Sequence, residues 1–315
     1  MSALAFALVA LLLVGPVPEL LARAAWPMRA PRAAVVLWQA IAVAAVLSAF
    51  SAGIAIASRL FVPGRDGRPT STITSEIRVL GWPLWLTYVG VFAITLLIGA
   101  RLLIAVLQVA IGTRRRRARH RMLVDLLGVS RDGAITKTGT GHLRILDVSE
   151  PMAYCLPGVR SRVVVSQGAL NTLNDEEITA ILGHERAHLR ARHDLVLEMF
   201  IAVHAAFPRL VRSARALDAV RLLVEMLADD AAVRAAGPAP LARALVACAA
   251  GPTPSGALAA GGPGTLVRVR RLGGRGNSVT VAIGAYLAAA AILIVPTVAV
   301  AIPWLTELQR LFITG

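Results

Sequence analysis

The chain has 315 residues, of which 57% are hydrophobic and 16% charged, and its mean hydropathy is +0.68. A water-soluble enzyme of this length carries far more charge. The composition therefore excludes a wholly soluble protein and predicts several membrane spans with room for one modest domain outside the bilayer. A net charge of +15 admits nucleic acid as a partner until the basic residues are placed relative to the spans, and two cysteines, Cys155 and Cys248, supply no disulfide framework. Lysine occurs once, at Lys137; the arginine bias, with abundant Ala, Val and Gly, reads as genomic rather than functional.

In chain order, residues 2–18 carry no charge before Pro16, Pro18 and Glu19 mark an end, and no positive segment precedes them. They predict a short first span rather than a cleaved signal peptide. Residues 33–58 predict a second span. Residues 82–100 predict a third, with Trp82 and Trp85 at an interface and Arg101 snorkelling toward the headgroups. Residues 279–301 predict a fourth, closed by Pro303 and Trp304.

The loop charges orient these spans. Arg23, Arg29 and Arg32 stand between the first two without an acid among them, whereas Arg65, Arg68 and Arg78 in the next loop are offset by Asp66 and Glu76. After the third span comes the run Arg114, Arg115, Arg116, Arg117, Arg119, His120, Arg121. The positive-inside rule then places both termini outside and residues 113–278 in the cytoplasm. The run is read as a topology signal against anionic lipid, and no direct nucleic-acid binding is expected.

Within the cytoplasmic segment, residues 143–148 and 162–166 read as short strands, and residues 151–158 as extended chain bounded by Pro and Gly. Residues 195–207 are apolar but too short to span, and suit a core or membrane-leaning helix. Residues 209–236 form a long helical pattern stopped by Gly237 and Pro238, and residues 241–250 a short one. Residues 251–264, rich in Gly, Pro and Ala, read as a flexible linker.

The chemistry concentrates between Asn174 and Asp194. Asn174 with Glu177 makes a capping-box start, and Asp175, Glu176 and Glu177 complement the helix dipole. Ile178, Ile181, Leu182 and Leu189 recur at helical spacing. On that helix lies His184-Glu185-Arg186-Ala187-His188. Residues four apart share a face, so both imidazoles reach one metal ion, with Glu185 beside a metal-bound water. A catalytic zinc takes three protein ligands, so a third is expected from a neighbouring helix. Glu225 and Asp229, also four apart, lie in apolar surroundings where unpaired carboxylates are costly. Glu225 is read as the ligand and Asp229 as the support for a ligand histidine.

This order of features, an extended Ala-Tyr-Cys-Leu-Pro-Gly segment, an apolar strand, the Asn-Asp-Glu-Glu helix start, His-Glu-x-x-His and then Glu225-x-x-Ala228-Asp229, resembles membrane gluzincin peptidases across residues 143–275. It looks most like BlaR/MecR-type antirepressor peptidases, and more distantly like HtpX and CAAX-prenyl Ste-type proteases. The resemblance implies zinc held by His184, His188 and Glu225, one ion per chain, with Glu185 as general base and Asp229 in support. It implies that Ala153, Tyr154, Cys155 and Leu156 form an edge strand along which the substrate backbone pairs, and it likens residues 267–272 to the basic turn before the last span. BlaR/MecR receptors continue into a penicillin-binding domain with Ser-x-x-Lys. Here Ala134 stands three residues before Lys137 and little chain follows the fourth span, so an acylated-serine sensor is not expected.

The expected fold is mostly α: four transmembrane helices plus a cytoplasmic α+β metalloprotease domain. Its parts are a membrane domain 1–112, a peptidase domain 113–278, a fourth span 279–303 and a short outer tail 304–315. The expected function is hydrolysis of a cytoplasmic, BlaI-type repressor in antibiotic or envelope-stress signalling. An HtpX-like quality-control protease and a non-catalytic membrane receptor or scaffold are the alternatives. Tyr154, His193, His204 and nearby arginines are candidates for stabilising the oxyanion. Apart from the repressor-like substrate, the partner is the lipid bilayer, and a homo-oligomer is compatible with this reading.

Overall fold

Proline and glycine set the breaks in the first hundred residues. In the computed structural model, which describes residues 2–57, 60, 73–130, 142–158, 161–208, 213–249, 258–259, 264–274, 277–298, 302, 305–306 and 309, α1 (Ser2–Val14) stops at Gly15. Pro16 then opens α2 (Pro16–Arg23). The apolar stretch crosses this break, so the span-length segment is Leu4–Arg23 rather than residues 2–18. A 3-10 turn, Trp26–Arg29, leads into α3 (Pro31–Ala57). After α4 (Ile73–Leu80), Gly81 and Pro83 start α5 (Trp82–Leu127).

At 46 residues, α5 runs far past the end expected at residue 100. Residues 102–112 remain apolar, and the arginines that follow are good helix formers with no proline among them. Arg101 does not merely snorkel: its Nε donates to the carbonyl of Ala206, the last residue of α8 (His193–Ala206), where the helix carbonyls lack partners and a cation suits the dipole. The arginine run is likewise partly structural. Arg117 pairs with Asp194 (3.1 Å) and Glu198 (2.8 Å) of α8, and Arg121 donates to the carbonyl of Pro157.

Among the described residues, four helical segments are long and apolar enough to cross a membrane: Leu4–Arg23, α3, α5 and α12 (Val279–Pro296). Of these α3 is the most enclosed, and its core is shared with the helices that follow the sheet. Ala34, Leu37, Trp38 and Ile41 pack in one cluster with Leu197 and Phe200 of α8 and Leu217, Val220 and Val224 of α9 (Ser213–Ala236). The helices around the candidate site are thus seated directly on α3. α3 and α5 meet at Gly53, where any Cβ would overlap Thr95, whose hydroxyl is held on the carbonyl of Val91. Gly53→Leu is expected to cost about 1–3 kcal/mol by overpacking, read as a lower unfolding midpoint of the detergent-solubilised protein.

The sheet comprises β1 (Val129–Ser130), β2 (His142–Leu146), β3 (Ala153–Leu156), β4 (Arg162–Ser166) and β5 (Leu258–Ala259), in the order β1-β2-β4-β3-β5. Only β2 and β4 are parallel. Side chains alternate across it. Ala153, Cys155, Val163 and Val165 pack toward α7 (Asp175–Ala191) and α10 (Pro238–Cys248), while Tyr154, Leu156 and Val164 pack on Val124 of α5.

Two short helices complete the chain: α6 (Gln167–Thr172), capped by Ser166, and α11 (Thr265–Leu272), which leads into α12. The mostly helical character matches expectation. Arg65, Asp66, Arg68, Ala134, Lys137, Pro303, Trp304 and the final residues of the expected outer tail lie outside the described residues. So does the expected linker, except for β5 and Gly264.

Candidate metal centre

The capping box on α7 forms as the sequence predicts. The Asn174 side chain accepts from the Glu177 amide, and Glu177 accepts from the Asn174 amide. Glu177 also takes an ion pair from Arg243 of α10. The fixed helix start orients one face of α7 against the sheet and α9, and that face carries His184, Glu185 and His188, all buried.

His184 Nε2 and His188 Nε2 stand 3.1 Å apart. Across from them on α9, Glu225 places Oε2 3.4 Å from His184 Nε2 and Oε1 3.5 Å from His188 Nε2. Ligand atoms about 2.0–2.2 Å from a tetrahedral zinc are separated by roughly 3.3–3.5 Å. Each histidine faces its own Glu225 oxygen at about that separation, and one ligand atom from each of the three residues lies within 4.8 Å of the others, a cluster able to hold one ion. The donor chemistry fits as well: two imidazoles and a carboxylate, with room in the count for water.

The surroundings favour a cation. Burial alone would lower the His184 pKa, but Asp229 and Glu225 outweigh it and push it to about 9. Burial opposes ionisation of Glu225, yet the two histidines hold its carboxyl well below the usual range. Asp229 Oδ1 lies 3.0 Å from His184 Nδ1, close though not well aligned for a hydrogen bond. Glu185 differs: it is fully buried, neither oxygen has a well-aligned hydrogen-bond partner among the described residues, the Cys155 thiol being beside it, and burial is the main cause raising its pKa to about 8. A buried carboxylate without a partner is costly, and a water held on the metal would supply one.

Two further residues complete the site in roles the sequence does not assign them: Arg268, and His193, which the sequence offers only as an oxyanion candidate. Arg268 of α11 is fully buried. It grips Asp229 with two bonds, Nε to Oδ2 at 2.8 Å and Nη2 to Oδ1 at 2.6 Å, and sets Nη1 3.0 Å from Glu225 Oε2. Its flanking valines, Val267 and Val269, were the one local hint of burial. His193 Nδ1 lies 3.1 Å from His188 Nδ1. On a continuous helix, residues five apart sit about 140° round from one another. Here Arg192, the one non-glycine residue at positive φ among those described, breaks α7 from α8 and brings His193 back. Burial, chiefly, pushes the His193 pKa down to about 3, so its ring is neutral and can accept from His188 Nδ1. His193→Ala is expected to weaken metal binding about 10–100-fold, measured by competition with a chelator.

Other expectations change. Tyr154 faces away from the centre, its hydroxyl 3.0 Å from His120 Nε2, so it is not placed to stabilise an oxyanion; strand alternation gives the inward position to Cys155 instead. His193 serves His188 rather than an oxyanion, and His204 lies near the end of α8. Ala153, Tyr154, Cys155 and Leu156 form β3 as expected, but β3 is not an edge strand. β4 pairs with one side, and β5 covers Tyr154 and Cys155 on the other. Hydrogen-bonding partners so far away in sequence leave no trace in local pattern.

Residues 115–222 match peptidase family M48. The match takes in the basic end of α5, the histidines and Glu185, and stops before Glu225. The chain is also 30% identical over 135 residues to a protein named protease HtpX homolog from Methanothermobacter thermautotrophicus, covering 42% of this chain and 50% of that relative. It thus spans half the length of that relative. No solved structure matches significantly. M48 peptidases are zinc metalloproteases, in keeping with the donor set. These matches support an HtpX-like peptidase segment and do not reach the BlaR/MecR-specific resemblance.

Proposed function

We propose that this protein is an integral-membrane zinc metalloendopeptidase. The observation that carries the reading is the buried His184, His188 and Glu225 cluster beside the unpartnered Glu185 carboxylate. His184, His188 and Glu225 would hold the ion. When bound, zinc lowers the pKa of a coordinated water and polarises the scissile carbonyl. Glu185 takes the proton from the attacking water and delivers it to the leaving amine. Asp229, fixed by Arg268, keeps the outer nitrogen of His184 oriented, and His193 does so for His188. Cys155 is a buried thiol whose pKa burial raises well above its ordinary value, so it stays neutral beside the site. A substrate strand pairing with β3 displaces β5 along Tyr154 and Cys155.

For the substrate, the HtpX-like quality-control reading takes damaged membrane proteins, and the seating of α8 and α9 on the span-length helices supports that reading. The alternative is a BlaI-type repressor cut in a signalling response, favoured by the order of three span-length helices before the site and one after it. Both place the site on the cytoplasmic face. The test compares cells expressing the wild-type chain with cells expressing Glu185→Gln, by quantitative proteomics of cleaved termini. Many cuts in misfolded membrane proteins support quality control; one defined cut in a DNA-binding repressor supports signalling. Identical termini in both strains under every stress tried overturn the peptidase reading and leave a non-catalytic receptor or scaffold.

A further inference from the structure

A cavity of about 670 Å³ is walled by the end of α7, the start of α8, part of α9 and the first turns of α3 and α12. That volume is within the usual range for a small-molecule site. Its lining divides into two chemistries. Three arginines from three elements face it: Arg32 at the start of α3, Arg190 in the last turn of α7, and Arg234 near the end of α9. None of the three has an ion pair or hydrogen bond with another described residue, and all three are exposed. The one carboxylate in the lining, Asp230, is already occupied by Arg271, at 2.7 and 3.1 Å, and by Asn277. The cavity therefore carries uncompensated positive charge.

The remaining wall is apolar and belongs to two span-length helices. Val36 of α3 is 37% exposed, and Val279 and Tyr286 of α12 are 72% and 40% exposed. A soluble anion would satisfy the arginines and leave this wall uncovered. An acidic peptide could pair with the arginines, but at the edge of a bilayer hydrocarbon is the ready covering for the apolar wall. A lipid phosphate satisfies both, because guanidinium groups bind phosphate in a fork and the acyl chains lie along α3 and α12.

We propose that this cavity is a binding site for an anionic phospholipid, its phosphate held by Arg32, Arg190 and Arg234 and its chains lying against α3 and α12. The site is separate from the peptide-hydrolysis centre, although His193, the neighbour of His188, forms part of its wall. An occupant thus sits one side chain from the metal ligands, and the surface composition of the bilayer reaches the centre through α7 and α8.

The test uses the full chain, purified and reconstituted in nanodiscs of phosphatidylcholine with phosphatidylglycerol, then washed in detergent. Native mass spectrometry reads the lipid retained on each chain, with no need for peptidase activity. Retention of phosphatidylglycerol over phosphatidylcholine is expected, falling about tenfold or more in Arg190→Gln/Arg234→Gln. Arg32 is left in place because its charge also orients the spans. Arg114→Gln/Arg119→Gln, at exposed positions of the α5 run, removes the same charge and is expected to retain the lipid. Arg190→Lys/Arg234→Lys is expected to keep most of it, and the metal content of each variant reports folding. Equal retention of the two lipids by the wild-type chain, displacement of the lipid by millimolar inorganic phosphate, or an undiminished lipid count in a metal-loaded Gln variant would each overturn the proposal.

Discussion

Glu185→Gln is expected to lower peptide hydrolysis by about 10²–10⁴-fold, the range for removing a general base, while bound zinc stays at the wild-type level. Gln fills the same space and makes no demand on the proposed ligands, His184, His188 and Glu225. It cannot accept the proton of the attacking water. A metal assay separates this loss from collapse of the site, and retained hydrolysis at wild-type rate would sink the assignment of Glu185. The same substitution has a second signature in the metal-free protein. The Glu185 pKa is raised from 4.5 to about 8, mainly by burial. Between these values the unfolded chain releases the proton that the folded chain keeps, so ionisation favours unfolding and stability falls as pH rises. Glu185→Gln removes this dependence. The metal-free variant is therefore expected to unfold at a higher temperature than the metal-free wild type on the alkaline side of that window.

Arg268→Ala is expected to be among the most damaging single changes outside the ligands. It strips the bidentate partner from Asp229, which is 1% exposed, and the nearest cation from Glu225. Breaking a buried ion pair from one side costs about 3–5 kcal/mol, because the other charge stays buried. Burial works against ionised Asp229; the Arg268 bonds and His184 hold its carboxyl below the usual range. Without Arg268, Asp229 loses its orientation and His184 its support, so zinc affinity should fall about 10–100-fold. Arg268→Lys keeps the charge but not the fork, and should fall between. The thermal midpoint and a chelator competition measure the two effects. In an Asp229→Asn background the cost of Arg268→Ala should shrink, as it must if the pair is the cause. An unchanged midpoint in Arg268→Ala would contradict the pairing.

The structure also joins the centre to the membrane helices through this turn. Arg271, on the same short helix as Arg268, binds Asp230 and the carbonyl of Met28, and the Ser278 amide donates to the carbonyl of Arg29. The 3-10 turn between the first two span-length helices, the start of α12 and the carboxylates of α9 are thus linked within a few residues.

What the sequence determined by itself was local. Capping residues, the four-residue spacing of His184 and His188, and apolar runs of span length are properties of neighbouring residues; the capping box forms as expected, while the first and third apolar helices run past the ends expected for them. Even the Glu225 and Asp229 pair was legible, because two acids on an apolar helix face need partners. What only the tertiary structure decided was which distant groups meet. Arg268, Arg270 and Arg271 are alike in sequence, yet only Arg268 is fully buried and grips Asp229. His193 reaches His188 because one left-handed residue bends the chain between two helices. Tyr154 turns from the centre because β3 pairs in a register that sends Cys155 inward, and β3 loses its open edge to a strand about a hundred residues further along. Periodicity fixes which face a side chain occupies. Packing alone fixes what that face meets, and buried charges take their energy from that partner.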